Sequence, residues 1–222
     1  MTIRTMRTMR SLLALGSIVT LVASSTALAS HLDPQKKMTA ADQARVRAML
    51  FKKADFGPGV RTQPNAAASH VTCRGLDQSD LTLTGEAESP TFIRGVSVFS
   101  SLAQVYRTLK ESKEGWRRST GAAAKCLEDV LRREYAKQGL SLQSFRKRAF
   151  PRVGQGTVAF RAVLSGESQG LTVLFTLDVV GLLYSRAQVA LVFGSLSPPT
   201  KAEEVRLARL VAGRMAKAMR GA

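Results

Sequence analysis

GTVAFRAVLSGESQGLTVLFTLDVVGLLYSRAQVALVFG, residues 156–194, is the stretch that decides the fold. Val158, Phe160, Ala162 and Leu164 recur at every second position, with Thr157 and Arg161 among the residues between them. A period of two belongs to a strand with one solvated face. Residues 170–180 carry apolar side chains at both parities, which marks a central strand covered on both sides. Residues 183–194 make a third strand, and SLQSFRKRAF at 141–150 a fourth upstream. The connections are short: 151–155, then SGESQG, then a turn near Gly181. Connections of that length join antiparallel neighbours, so the segment reads as a meander.

Helices flank it. Downstream, Thr200 and Glu203 have capping-box spacing, and Val205, Ala208, Val211, Ala212, Met215 and Met219 form an inner stripe. Upstream, the spacing predicts a helix from Ser101, with Leu102, Val105, Tyr106 and Leu109 on one face, closed by Gly115-Trp116. A second runs from about Thr120 to Gln138, with Gly139 as its stop. Before these lie two strand candidates, 81–89 and 91–99, expected to pair as a hairpin around Glu88-Ser89-Pro90. The first helix begins near Thr39 and ends at Gly57-Pro58-Gly59, followed by a loop over 61–69. The order is α-β-β-α-α-β-β-β-β-α. Grouped strands and grouped helices give the α+β class: an antiparallel sheet of about five to six strands with helices packed against it.

The N-terminus reads as an address. Arg4, Arg7 and Arg10 precede a largely apolar run over 11–29 that ends in Ala27-Leu28-Ala29, a small-x-small cleavage pattern. That reads as a secretory signal with cleavage after Ala29, the alternative being an uncleaved anchor helix. The expected layout is a signal peptide over 1–29, a flexible leader over 30–38 and one domain over 39–222. Later apolar runs are too short to span a bilayer; the best, 171–184, contains Asp178. The full chain carries +17, and loss of the three arginines leaves +14. Such a charge favours anionic surroundings, namely phospholipid headgroups or wall polymers. Export argues against nucleic acid as a partner.

Cys73 and Cys126 are the only cysteines, and both lie in the exported part, where disulfides persist. A bridge between them closes a loop of about 54 residues, worth about 4 kcal/mol in the chain-entropy picture. With His31 and His70 they lack the paired short spacings of a zinc site, so no metal or other cofactor is expected.

Catalytic signals are few. Asp55-Phe56-Gly57 spells the magnesium-binding triplet of protein kinases, but no glycine-rich phosphate loop precedes it and no His-Arg-Asp exists in the chain. Gly166-Glu167-Ser168-Gln169-Gly170 spells Gly-x-Ser-x-Gly, but it lies in a turn between strands rather than at a strand-to-helix elbow. An enzyme reading requires His70 beside a carboxylate or hydroxyl, and no positioned partner is visible. No catalytic residue is assigned. Basic residues cluster at Arg117-Arg118, Arg132-Arg133 and Arg146-Lys147-Arg148 with Arg152 nearby. The last group, set near the C-terminal helix, is the candidate anion-binding site.

One arrangement resembles a known family. Asp55 to Val60, Cys73, Thr91 to Phe99, Cys126, Val153-Gly154 before Thr157 to Leu164, and the closing helix Lys201 to Arg220 follow one another as in the extracellular sensor domain of mycobacterial receptor Ser/Thr kinases and the exported sensor-domain proteins of actinobacteria. The resemblance implies an α+β domain with a ligand cleft facing the cell envelope and no enzymatic activity. This chain departs from it in having a single cysteine pair, Val60 where an aromatic is common, and no kinase domain. The leading expectation is a secreted, non-enzymatic, sensor-like binding domain for an envelope ligand, either a lipid or an anionic wall component. The alternative is a carrier of an apolar ligand with a PsbP-like fold.

Overall fold

The computed structural model describes residues 33–65, 77–121, 123–168, 170–197 and 200–221, with 123–126 described by backbone alone. Its strands are β1 (Gln35–Lys36), β2 (Arg61–Gln63), β3 (Thr82–Glu88), β4 (Thr91–Arg94), β5 (Ser97–Tyr106), β6 (Ser141–Lys147), β7 (Gly156–Ser168), β8 (Leu171–Tyr184) and β9 (Ala187–Ser195). Its helices are α1 (Ala40–Met49), α2 (Leu109–Thr120), α3 (Ala123–Ala136) and α4 (Lys201–Ala218). The signal segment, Ala27 and Ala29 included, and His31, His70 and Cys73 lie outside the described residues, as does the side chain of Cys126. Among the described residues no helix is long and apolar enough to cross a membrane.

The meander forms as its pattern dictates. β7, β8 and β9 pair antiparallel in unbroken register, with Ala159 opposite Val180 and Val180 opposite Leu191. The two turns use left-handed backbone, at Gly170 (φ 75°) and Ser185 (φ 52°). The whole sheet runs β1-β3-β5-β9-β8-β7-β6, with β4 on β5 and β2 on β4. Among the described residues it has nine strands rather than five to six, and it is mixed, because β1 runs parallel to β3. The short β1 comes from the segment read as leader, and β2 from the segment read as loop.

Both faces of the sheet are covered. One face presents Ala159, Val180, Leu182, Leu191 and Phe193 to Val46 and Met49 of α1 and to Leu207, Val211 and Met215 of α4. The opposite face presents Ala162, Leu164, Phe175, Leu177 and Val192 to Leu131 and Tyr135 of α3. Each fully buried leucine or phenylalanine contributes about 1.5–3 kcal/mol. α2 sits beside α3, and Trp116 covers Gly156 and Gly181 so closely that a Cβ at either glycine would stand 3.3 Å from its ring.

Two elements differ from expectation. The residues read as the start of a helix, 101–106, continue strand β5, which pairs with β9 from Ser97 to Val105. The helix starts later, where Thr108 and Glu111 close a true capping box: the Glu111 amide donates to Thr108 Oγ1 (3.1 Å) and the Thr108 amide to Glu111 Oε2 (3.2 Å). β3 and β4 do not pair with each other. They lie end to end along β5, interrupted at Ser89-Pro90, where Ser89 bridges the gap through its amide to Ser101 O (2.8 Å) and its Oγ from the Ser101 amide (2.9 Å). The hairpin turn is at Gly95 (φ 58°).

Asp55-Phe56-Gly57 has a structural task. Asp55 accepts from the Lys52 amide (2.8 Å) and pairs through both carboxylate oxygens with Arg214 of α4 (2.6 and 2.7 Å). Phe56 packs among Phe51, Phe92 and Phe99, with ring centroids 4.6–5.2 Å away. Gly57 (φ 76°) turns the chain out.

Candidate anion-binding site

β6 positions the site by alternation. Phe145 and Lys147 share one face of the strand, and Phe145 stacks on Phe160 of β7 at 5.5 Å. Arg146 therefore stands on the other face, directly opposite Arg161 of β7. The ladder continues one bond further, from the Arg148 amide to Ala159 O (2.9 Å), which returns Arg148 to the face of Arg146. Three guanidinium groups thus line one strip of the sheet beside α4.

Two buried carboxylates meet this strip. Asp178 of β8 has no solvent exposure and takes both Arg161 contacts, from Nε (2.8 Å) and from a terminal nitrogen (2.6 Å). Arg148 Nε stands 3.2 Å from Asp178 Oδ1, an ion pair without hydrogen-bond alignment. A terminal nitrogen of Arg148 pairs with Glu204, in the first turn of α4, where the helix dipole favours an acid. The Arg148 guanidinium also lies 5.4 Å above the Phe150 ring. Glu204 is fully buried, and its Oε1 has no hydrogen-bond partner among the described residues. Burial pushes the Glu204 carboxyl up to about 7; Asp178 adds to the rise and Arg148 opposes it.

The strip holds three cations against two acids, one of which burial holds above the usual carboxylate range. Arg146 is exposed and has no acidic partner among the described residues. Like charges directly opposite across a strand pair are unfavourable unless an anion comes between them. Guanidinium groups bind phosphate and carboxylate through paired N–H donors, so the strip has the chemistry of an anion site.

Several other charged groups are paired internally. Burial alone would raise the Asp42 carboxyl, but hydrogen bonds from Thr84, Arg45 and Arg186 bring it below the usual carboxylate range. Arg118 is held by Asp80 and Glu114, and Arg94 by Glu203.

Of the four residues read as an anion site, Arg146 and Arg148 share the strip. Lys147 points to the opposite face, and Arg152 turns to the Gln155 carbonyl (3.2 Å). Arg161, Asp178 and Glu204 are additions. For Arg161 and Asp178 the signal was a charge inside an otherwise apolar strand: Asp178 interrupts the most apolar segment of the domain.

No family model matches the chain, and no curated protein matches it. Among solved structures, a Pseudomonas aeruginosa protein of unknown function aligns over 61% of this chain and 82% of its own at 14% identity, with a TM-score of 0.23. A likeness that loose carries no argument for fold or function.

Proposed function

We propose that the chain is an exported, non-enzymatic, sensor-like binding domain of the bacterial envelope, and that its ligand presents a phosphate or carboxylate to Arg146, Arg148 and Arg161. The observation that carries this reading is the direct opposition of Arg146 and Arg161 on one face of β6–β7, with no acid beside Arg146. The formal charge of +17 and the secretory N-terminus support it. Titration calorimetry with glycerol phosphate tests it, because Arg146 and Lys147 are adjacent, both exposed, and on opposite faces. Arg146→Glu is expected to weaken binding on the order of tenfold or more, whereas Lys147→Glu leaves it nearly unchanged. Absence of saturable binding by the wild-type chain, or equal losses in the two variants, defeats the reading.

A further inference from the structure

The β7–β8 hairpin outruns its neighbours. β6 pairs with β7 as far as Ser165, and β9 pairs with β8 as far as Thr176. Beyond those rows the two strands pair only with each other, through Gly166–Val173, Glu167–Thr172 and Ser168–Leu171. The result is a two-stranded finger. Its side chains break the usual surface rule: Leu171 is 71% exposed and Leu174 56%, the two most exposed large apolar residues among those described. Gly170 at its turn has nothing within 4 Å of where a Cβ would stand, so the tip is open.

One side of the finger, that of Leu174, continues the face of the arginine strip, while Leu171, paired with Ser168 at the tip, stands on the other face. Register places Arg146, Arg161 and Asp178 in one row, Ser144, Val163 and Thr176 in the next, and Ser165 with Leu174 in the row after that, all on the same face. Four residues of strand separate Arg161 from Ser165, about 13–14 Å along the finger. The interfacial layer on each side of a bilayer is about 5–8 Å deep, and electrostatic attraction to anionic lipid reaches about another Debye length, 8–10 Å. Leu174 at the headgroup–acyl boundary, with Leu171 beyond it at the tip, therefore leaves Arg146 and Arg161 within reach of lipid phosphates.

We infer that the β7–β8 finger docks the protein on an anionic phospholipid bilayer, Leu171 and Leu174 entering the interface while Arg146 and Arg161 face the headgroups. The inference rests on the anion-binding reading and names the source of the anion. Charge complementarity selects the occupant. The chain is strongly basic, and Arg146, without an acidic partner among the described residues, lies on the same face as exposed Leu174. A second copy of so basic a chain would be repelled. Glu167 is the one acid on the finger, and it sits at the level of Thr172. Docking in this manner needs no membrane-spanning helix.

Sedimentation with phosphatidylglycerol–phosphatidylcholine vesicles, against phosphatidylcholine alone, tests the inference. Leu171→Ser with Leu174→Ser touches no core residue. The double variant is expected to lose vesicle affinity on the order of tenfold or more, because two apolar side chains no longer leave water, while its affinity for soluble glycerol phosphate stays unchanged. Unchanged vesicle binding by the serine variant overturns the docking finger; if Arg146→Glu still abolishes binding there, the anion site survives. Wild-type protein that binds glycerol phosphate but ignores the vesicles also overturns it. So does a dimer, seen by sedimentation equilibrium, that the serine variant breaks.

Discussion

Replacing Glu204 with glutamine separates burial from charge at the centre of the arginine strip. The glutamine oxygen can still accept from Arg148, and the side-chain volume hardly changes. In the folded chain burial takes the Glu204 carboxyl from its ordinary 4.5 to about 7. An acid whose folded pKa lies above its unfolded value holds its proton more tightly when folded. Its contribution to stability is therefore most favourable below about 4.5, falls as pH rises through the window from 4.5 to about 7, and levels off above it. At about 1.4 kcal/mol per pH unit across that window, ionised Glu204 costs up to about 3 kcal/mol at pH 8. Glutamine cannot ionise, so Glu204→Gln should approach the wild type near pH 4 and exceed it by about 2–3 kcal/mol near pH 8. Urea unfolding followed by the fluorescence of Trp116 measures both proteins across this range. The difference between them removes the contributions of Asp42 and Glu114, which both share. A difference that does not vary with pH, or one that grows toward acid, refutes the reasoning.

Other consequences are as direct. Asp55→Ala leaves Arg214 and the Lys52 amide without their acceptor, and should cost about 2–3 kcal/mol in chemical denaturation, discounted for the partial exposure of Arg214; a loss below about 0.5 kcal/mol contradicts the structural role given to the triplet. Gly85→Ala would put a Cβ 2.6 Å from Asp42 O, forcing α1 off β3; a lowered denaturation midpoint, by about 1–3 kcal/mol, is expected, and an unchanged one contradicts that packing. The protein recovered from its own cell should begin at Ser30, and its mass should rise by two hydrogens on reduction; an intact Met1 or an unchanged mass would remove the signal or the Cys73–Cys126 bridge.

Legibility in the sequence followed how strongly local chemistry and burial agreed. The β7–β9 meander was readable because period-two alternation, short connections and turn residues coincide there. Thr200 was readable as a cap because its neighbours carry the helical stripe that packs on the sheet; the Glu203 amide does donate to its Oγ1 (3.3 Å). β5 was not readable. It is a central strand between β3 and β9 with both faces buried, so Val105 and Tyr106 are both fully enclosed and alternation disappears. Leu102, Val105, Tyr106 and Leu109 then mimic a helical face, although Leu109 is exposed. Gly181 was read as a turn, but it lies inside β8, where Trp116 and Val158 leave no room for a side chain. Close approach and turn formation both demand glycine, and sequence alone does not separate them. Half of the candidate anion site was legible as a basic run. The run did not show that Arg146 and Lys147 face opposite ways relative to α4, or that Arg161, Asp178 and Glu204 converge from three other elements. Those facts depend on register and on the placement of α4.

The central claim is that Arg146, Arg148 and Arg161 bind one anionic group together. Nuclear magnetic resonance of the arginine Nε–Hε signals, titrated with glycerol phosphate, tests it most directly. The account predicts saturable shifts with a single affinity at these three arginines, largest at Arg146, and none at Arg118 or Arg214, whose carboxylate partners lie outside the strip. Shifts spread evenly over the exposed arginines, or no shift at Arg146, would contradict it.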